Sequence, residues 1–268
     1  MTRPADLPDY ANPPIDEVAI GIQFPAIDGF TEPYFGLFWS EVRSDYPRAE
    51  TRHRMEGPIE NLTESPMAIP QFQLGPPSGR NWFISSDEES LIQIQDTRLI
   101  QNWRRRTSEY PHFDEVAVKF WDSYGKLRDL MTGEGKSPPL VQQVELTYIN
   151  WIQDLRVDQF LNVAESSSID IYGVKQMPEA QDWMARYLIQ FENGPVARLY
   201  VQCTQAIRTS PPSAGHGVQM SLIYKAPMAD GMDDQDLQDN LDRGRETIVR
   251  AFTDLTTPQA HTHWGRIQ

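Results

Sequence analysis

Residues 91–151 restrict the chain to few folds. Between Leu91 and Trp103 apolar and polar side chains mix at short period with no Gly or Pro, which predicts one long strand. Tyr110-Pro111 then sets a turn and a helix start. Phe113, Val116, Phe120, Tyr124, Leu127 and Met131 follow at the three-to-four spacing that paints one helical face. Pro138-Pro139 stops that helix, and residues 141–151 return as a second strand rich in β-branched and aromatic side chains. Strand, helix and strand in this order name a fold class and no reaction.

Charge narrows the choice of partner. The chain carries 38 acids against 24 bases, a net charge of -14. Displacing the counterions of a nucleic acid needs a surplus of Lys and Arg, so nucleic acid is excluded as a general partner, and a protein with a basic surface is favoured. At 268 residues, with 39% hydrophobic and 10% aromatic content, there is enough to bury a core in one large domain or two modest ones. No apolar run approaches membrane-spanning length, and Met1-Thr2-Arg3-Pro4-Ala5-Asp6 lacks the features of a signal peptide. The expectation is a cytoplasmic protein with no membrane partner. The single cysteine, Cys203, excludes an internal disulfide and suits a reducing compartment.

Along the chain, residues 1–14 form a polar, Pro-rich lead-in that crosses the surface in extended form. Val18, Ile20, Ile22 and Phe24 alternate along a strand, and Thr31 caps a helix whose face holds Phe35, Phe38, Trp39, Val42 and Tyr46. Prolines and glycines break up residues 57–77, with a short strand at 68–74. Residues 80–85 form another strand, which pairs with the long one through Asp87-Glu88-Glu89. A boundary between residues 155 and 156 gives an N-terminal half, 15–155, and a C-terminal half, 156–268, which also read as one continuous domain. In the second half, strands at 186–191 and 197–203 are joined by Glu192-Asn193-Gly194-Pro195, where Asn-Gly signals a hairpin. Residues 218–224 add a strand, 169–174 an earlier one, and a last helix places Leu237, Leu241, Ile248, Phe252 and Leu255 on one face behind a run of aspartates that suits its N-terminus. The fold class is α+β: curved antiparallel sheet with a few amphipathic helices packed on one face. The second half loosely echoes the first in element order, without a residue-level repeat.

The polar residues that draw notice lie on the two central strands. Arg98 shares a face with Ile92, Ile94, Asp96 and Ile100, and Glu145 shares one with Thr147 and Ile149, so an Arg and a carboxylate meet on a partly buried surface. One reading is an ion pair that fixes register. The other is a polar pocket in which Asn102, Arg104, Tyr148 and Asn150 add donors for an anionic or peptide ligand. The basic run Trp103-Arg104-Arg105-Arg106 either grips a phosphate or acidic peptide or is a solvated strand end that discourages edge pairing. His261-Thr262-His263 would aim both imidazoles one way on an extended segment, but with no third ligand in sequence no metal is assigned. Counted from Asp234, a calcium loop would need its glycine at Asp239 and its closing glutamate at Arg245, so none is present. Phosphate-cradling Gly-rich loops, nucleophile elbows and zinc-protease signatures are also missing, and Cys203 reads as packing within a strand. No cofactor is implied.

Three segments together resemble a known group. Residues 12–18, Gln93-x-Gln95-x-x-Arg98 running into Asn102-Trp103 and Tyr110-Pro111, and Glu145-Leu146-Thr147-Tyr148-Ile149-Asn150 are similar to a sporadically distributed family of functionally uncharacterised bacterial proteins of about this length. Leu241-Asp242-Arg243-Gly244, Ala251-Phe252, Leu255-Thr256 and Trp264-Gly265 fit the same pattern. The resemblance implies a bacterial origin and an accessory role such as defence or toxin neutralisation. The expected function is a non-catalytic binding protein that recognises another protein. The alternative is an enzyme using Glu145 as base and Arg98 or Arg104 as anion clamp.

Overall fold

In a computed structural model, which describes residues 4–55, 79–153, 155–162, 182–192, 194–209 and 214–268, alternating apolar side chains give β1 (Ile15–Gln23), with Val18, Ile20 and Ile22 buried. Next come α1 (Glu32–Val42), β2 (Arg48–His53), β3 (Gly79–Ile84), β4 (Ser90–Gln95), β5 (Arg98–Arg104) and α2 (Phe113–Gly133). A second run of elements begins ahead of the expected boundary at residues 155 and 156, and this second half supplies β6 (Gln143–Gln153), α3 (Val157–Phe160), β7 (Asp182–Gln190), β8 (Val196–Arg208), β9 (Gly215–Pro227), α4 (Asp234–Leu255) and α5 (Pro258–His263). All pairings are antiparallel, and the strands make one open sheet of 9 in the order β2-β3-β4-β5-β1-β6-β9-β8-β7. The fold is α+β, with the helices packed on one face of the sheet.

That order is close to a palindrome. In each half a first strand is followed by a helix, then by antiparallel strands, the last of which lies beside the first, and then by a long helix. The two first strands, β1 and β6, pair with each other at the centre, with Ile20 opposite Leu146. The helix-facing side of the sheet carries Val18, Ile20, Leu99, Val144, Leu146, Leu222 and Tyr224, each at most 0% exposed. Phe113, Val116, Phe120, Tyr124, Leu127 and Met131 of α2 pack onto it, as their spacing requires, and a fully buried side chain of this size contributes roughly 2 kcal/mol. Gln101, Ser90 and Asn150 are buried polar residues on this side, and Gln101 is satisfied: Ser123 of α2 donates to its carbonyl oxygen at 3.0 Å.

Several expectations are corrected. The single strand expected over residues 91–103 is a hairpin: Asp96-Thr97 turns the chain and Gln95 faces Arg98 across it. Asp96 and Thr97 favour turns through their short polar side chains, a signal weaker than Gly or Pro. The two strands at the centre of the reading, β5 and β6, are not neighbours, because β1 lies between them. β2 was not anticipated; Arg-Ala-Glu-Thr-Arg-His has no apolar face, as suits a strand at the edge of the sheet. The lead-in is neither fully extended nor superficial: it turns at Ala5-Asp6, where the Leu7 N–H donates to the Pro4 carbonyl. Leu7 and Tyr10 are 1% and 8% exposed, and Ala11 and Asn12 donate backbone bonds to Gly265 and Trp264. His261-Thr262-His263 is helical, within α5. The expected strands at 68–74 and 169–174, and Asn193 of the hairpin signal, lie outside the described residues; β7 and β8 do pair as that signal requires, with Gln190 opposite Val196. No helix among the described residues is long and apolar enough to cross a membrane.

Candidate functional site

A cleft of about 360 Å³ opens on the helical side of the sheet, floored by Tyr148, Asn150 and Ile152 of β6. Ile248, Val249, Phe252 and Arg245 of α4 form one wall, and Arg105, Glu109, Tyr110, His112 and Phe113 form the other; the lead-in and Trp264 close the end. The second wall is a turn built by Glu89. Its carboxylate accepts from the backbone N–H groups of Thr107 and Ser108 at 2.8 and 2.7 Å and from both hydroxyls. Burial pushes that carboxyl up, but these four donors outweigh it and hold it down at about 2. Arg105 then fastens the lead-in to the turn by donating to the carbonyls of Ile15 and Pro13 at 2.9 and 3.3 Å. His112, just ahead of α2, has φ of 68°, a conformation costly for a residue with a side chain.

Inside the cleft the polar groups are few and convergent. The hydroxyls of Tyr110 and Tyr148 lie 3.1 Å apart, and burial, with Tyr148 adding to it, raises the Tyr110 phenol well above its ordinary value. Tyr110 therefore stays neutral at physiological pH. Asn150 donates to the Met220 carbonyl at 3.3 Å. Arg245 is 8% exposed; it pairs with Asp114 at 3.0 Å while its guanidinium lies 5.0 Å from the Phe113 ring. Cys203 lies away from the cleft, buried in β8 with its thiol pushed up to about 12.

The six candidate residues fall on two faces. Tyr148 and Asn150 line the cleft. Arg98, Asn102, Arg104 and Glu145 alternate onto the opposite face, where no helix packs among the described residues. The expected meeting of Arg98 with Glu145 does not occur. Glu145 pairs with Lys225 of β9 at 3.4 Å, and Arg98 faces Gln23 of β1, whose amide in its satisfied orientation accepts from the guanidinium at 2.8 Å. Both line a hollow of about 10 Å³, room for about one water molecule, which is too small for a substrate. Asn102 donates to Glu17 at 2.5 Å, and burial raises that carboxyl. Arg104 donates to the Glu88 carbonyl at 3.0 Å. Within the basic run, Trp103 is buried and Arg105 serves the cleft, so the run is neither a uniform solvated end nor one anion grip.

His261 is buried between the Thr256 hydroxyl, 2.8 Å from Nε2, and Arg266, while His263 is exposed, so the two imidazoles do not converge. Among the described residues no three His, Cys, Asp or Glu side chains are grouped to hold a metal ion. Sequence reasoning passed over Tyr110 and Arg245. Arg245 left a signal: it lies four residues after Leu241 and three before Ile248, a charge set in the apolar stripe of α4. No family model, curated protein or solved structure matches the chain.

Proposed function

We propose that this chain is a non-catalytic binding protein of a bacterial accessory system, such as defence or toxin neutralisation, acting in the cytoplasm on another protein. The cleft carries the reading. Its volume is at the small end of the range for ligand sites, about 300 to 1,000 Å³, which suits one or two side chains of a partner better than a cofactor. Its apolar walls and the Tyr110–Tyr148 hydroxyl pair supply an anchor and orientation for such a side chain. Asp9 and Glu109 in the lining are matched by Arg105 and Arg245, so the preference for a partner segment with Lys or Arg beside an aliphatic or aromatic anchor rests on the chain's net charge of -14.

Selection of peptides from a random displayed library on the purified protein tests this. Enriched peptides are expected to pair a large apolar residue with basic neighbours. Val249→Glu, which places a charge on the apolar wall, should weaken the best of them on the order of tenfold or more, and Glu109→Lys should weaken them less and mainly at low salt. Peptides that bind both variants as well as the parent chain would place recognition elsewhere and end this reading.

A further inference from the structure

On the face opposite the helices, three guanidinium groups surround one indole. The Cζ atoms of Arg52, Arg80 and Arg104 lie 4.6, 5.6 and 6.0 Å from the centre of the Trp82 ring. Each cation is attracted to the ring, but the three repel one another, and few carboxylates relieve them. Glu50 pairs with Arg52 and also lies 3.4 Å from Arg48, while Glu88 pairs with Arg48 at 2.5 Å. Among the described residues Arg80 and Arg104 have no carboxylate within ion-pair distance; they donate to the Gln93 side-chain oxygen at 3.2 Å and the Glu88 backbone carbonyl at 3.0 Å. The Nε of each is buried with no acceptor. Burial lowers the pKa of both groups, helped at Arg80 by Arg52 and Arg98 and at Arg104 by Arg106, against the opposing pull of Glu17 and Glu88. In a chain with 38 acids and 24 bases, composition does not account for such a cluster.

The polar groups around the cluster are already committed. Trp82 Nε1 and Arg80 share the Gln93 oxygen as acceptor, the Gln93 amide donates to Asn102 at 2.9 Å, and Asn102 donates to Glu17. That chain fixes the ring and leaves the site with donors to offer and no free acceptor. Arg48, Arg52, Arg80 and Arg104 against Glu50 and Glu88 leave two positive charges, of which Glu17, acting on Arg104 with its own carboxyl raised by burial, offsets at most one. A ligand carboxylate would supply one negative charge, whereas a phosphate monoester carries about -1.5 to -2 at pH 7. The geometry points to a phosphate-binding site between Arg80 and Arg104 beside Trp82, closed by the more exposed Arg52. The phosphate is either free or carried by a small ligand such as a nucleotide. The site lies on the other face of the sheet from the cleft and stands independently of it.

Titration calorimetry on the full chain with inorganic phosphate, a nucleoside diphosphate and a short glutamate peptide tests the assignment. Both phosphate ligands are expected to bind, more weakly as salt rises, and Arg80→Gln and Arg104→Gln should each cost on the order of tenfold in affinity. Arg52→Gln changes a side chain 44% exposed, so it keeps the fold intact and should still weaken phosphate measurably. Tighter binding of the diphosphate identifies a nucleotide as the source; equal affinity for phosphate alone identifies the free ion. The assignment fails if the parent chain binds neither phosphate ligand, if all three variants bind like the parent, or if the glutamate peptide binds best.

Discussion

Glu89 shows how one side chain positions a cleft it does not line. Its four donors all belong to Thr107 and Ser108, so the carboxylate fixes the turn that carries Arg105, Glu109 and Tyr110. Because its folded pKa lies at about 2, below the ordinary 4.5, it adds stability above that ordinary value and loses it as pH falls toward about 2. Glu89→Gln should cost about 1–2 kcal/mol at neutral pH, less than four separate charged hydrogen bonds would suggest because water screens a partly solvated group. Urea denaturation followed from pH 7 down to pH 3 should show the gap between parent and variant narrowing below the ordinary carboxylate value; a gap that stays constant would contradict the assignment. None of this was legible in the sequence. Asp87-Glu88-Glu89 reads as a polar turn, and nothing local reveals that its third residue reaches a turn 18 residues on.

Among the elements, α4 was the most legible and still held a surprise. Its apolar stripe and its acidic start were read correctly, and the Asp233 side chain caps it by accepting from the backbone N–H groups of Gln235 and Asp236. Gly244, in mid-helix, is there for closeness: a Cβ at this position would lie 2.7 Å from Cδ1 of Tyr224. Gly244→Ala gains up to about 1 kcal/mol of helix propensity but forces the fully buried Tyr224 ring aside, at a cost of about 1–3 kcal/mol. The variant should therefore unfold at lower temperature than the parent in a calorimetric scan; a higher midpoint would show that the ring yields freely. The β4–β5 hairpin was illegible for the opposite reason. Its turn contains neither Gly nor Pro, and the alternation runs through Asp96-Thr97 almost unbroken.

For the whole molecule, the class of fold followed from local periodicity, while the strand order did not. Short loops dictate the meander of β3, β4 and β5, but the placing of β1 between β5 and β6 is a pairing over long sequence separation that no local pattern encodes. That placing is also what moved Arg98 away from Glu145. With four strands on each side of β1, it and its two neighbours, β5 and β6, are the most deeply flanked. Their amides should exchange with solvent most slowly by hydrogen–deuterium exchange, and those of β2 and β7 at the two ends of the described sheet fastest. Comparable protection at β2 and β1 would show that the sheet does not open from its edges.

The position of β1 also governs the order of events while the chain is being made. It precedes both of its neighbours in the chain: β5 comes after three further described strands and β6 only after α2 as well. Until β6 emerges, a nascent chain that has already assembled its first half holds β1 with one row of backbone donors and acceptors unanswered, flanked by side chains meant for the interior. Synthesis therefore passes through an interval in which the future middle of the sheet is its sticky margin, and a pause there favours pairing between neighbouring chains.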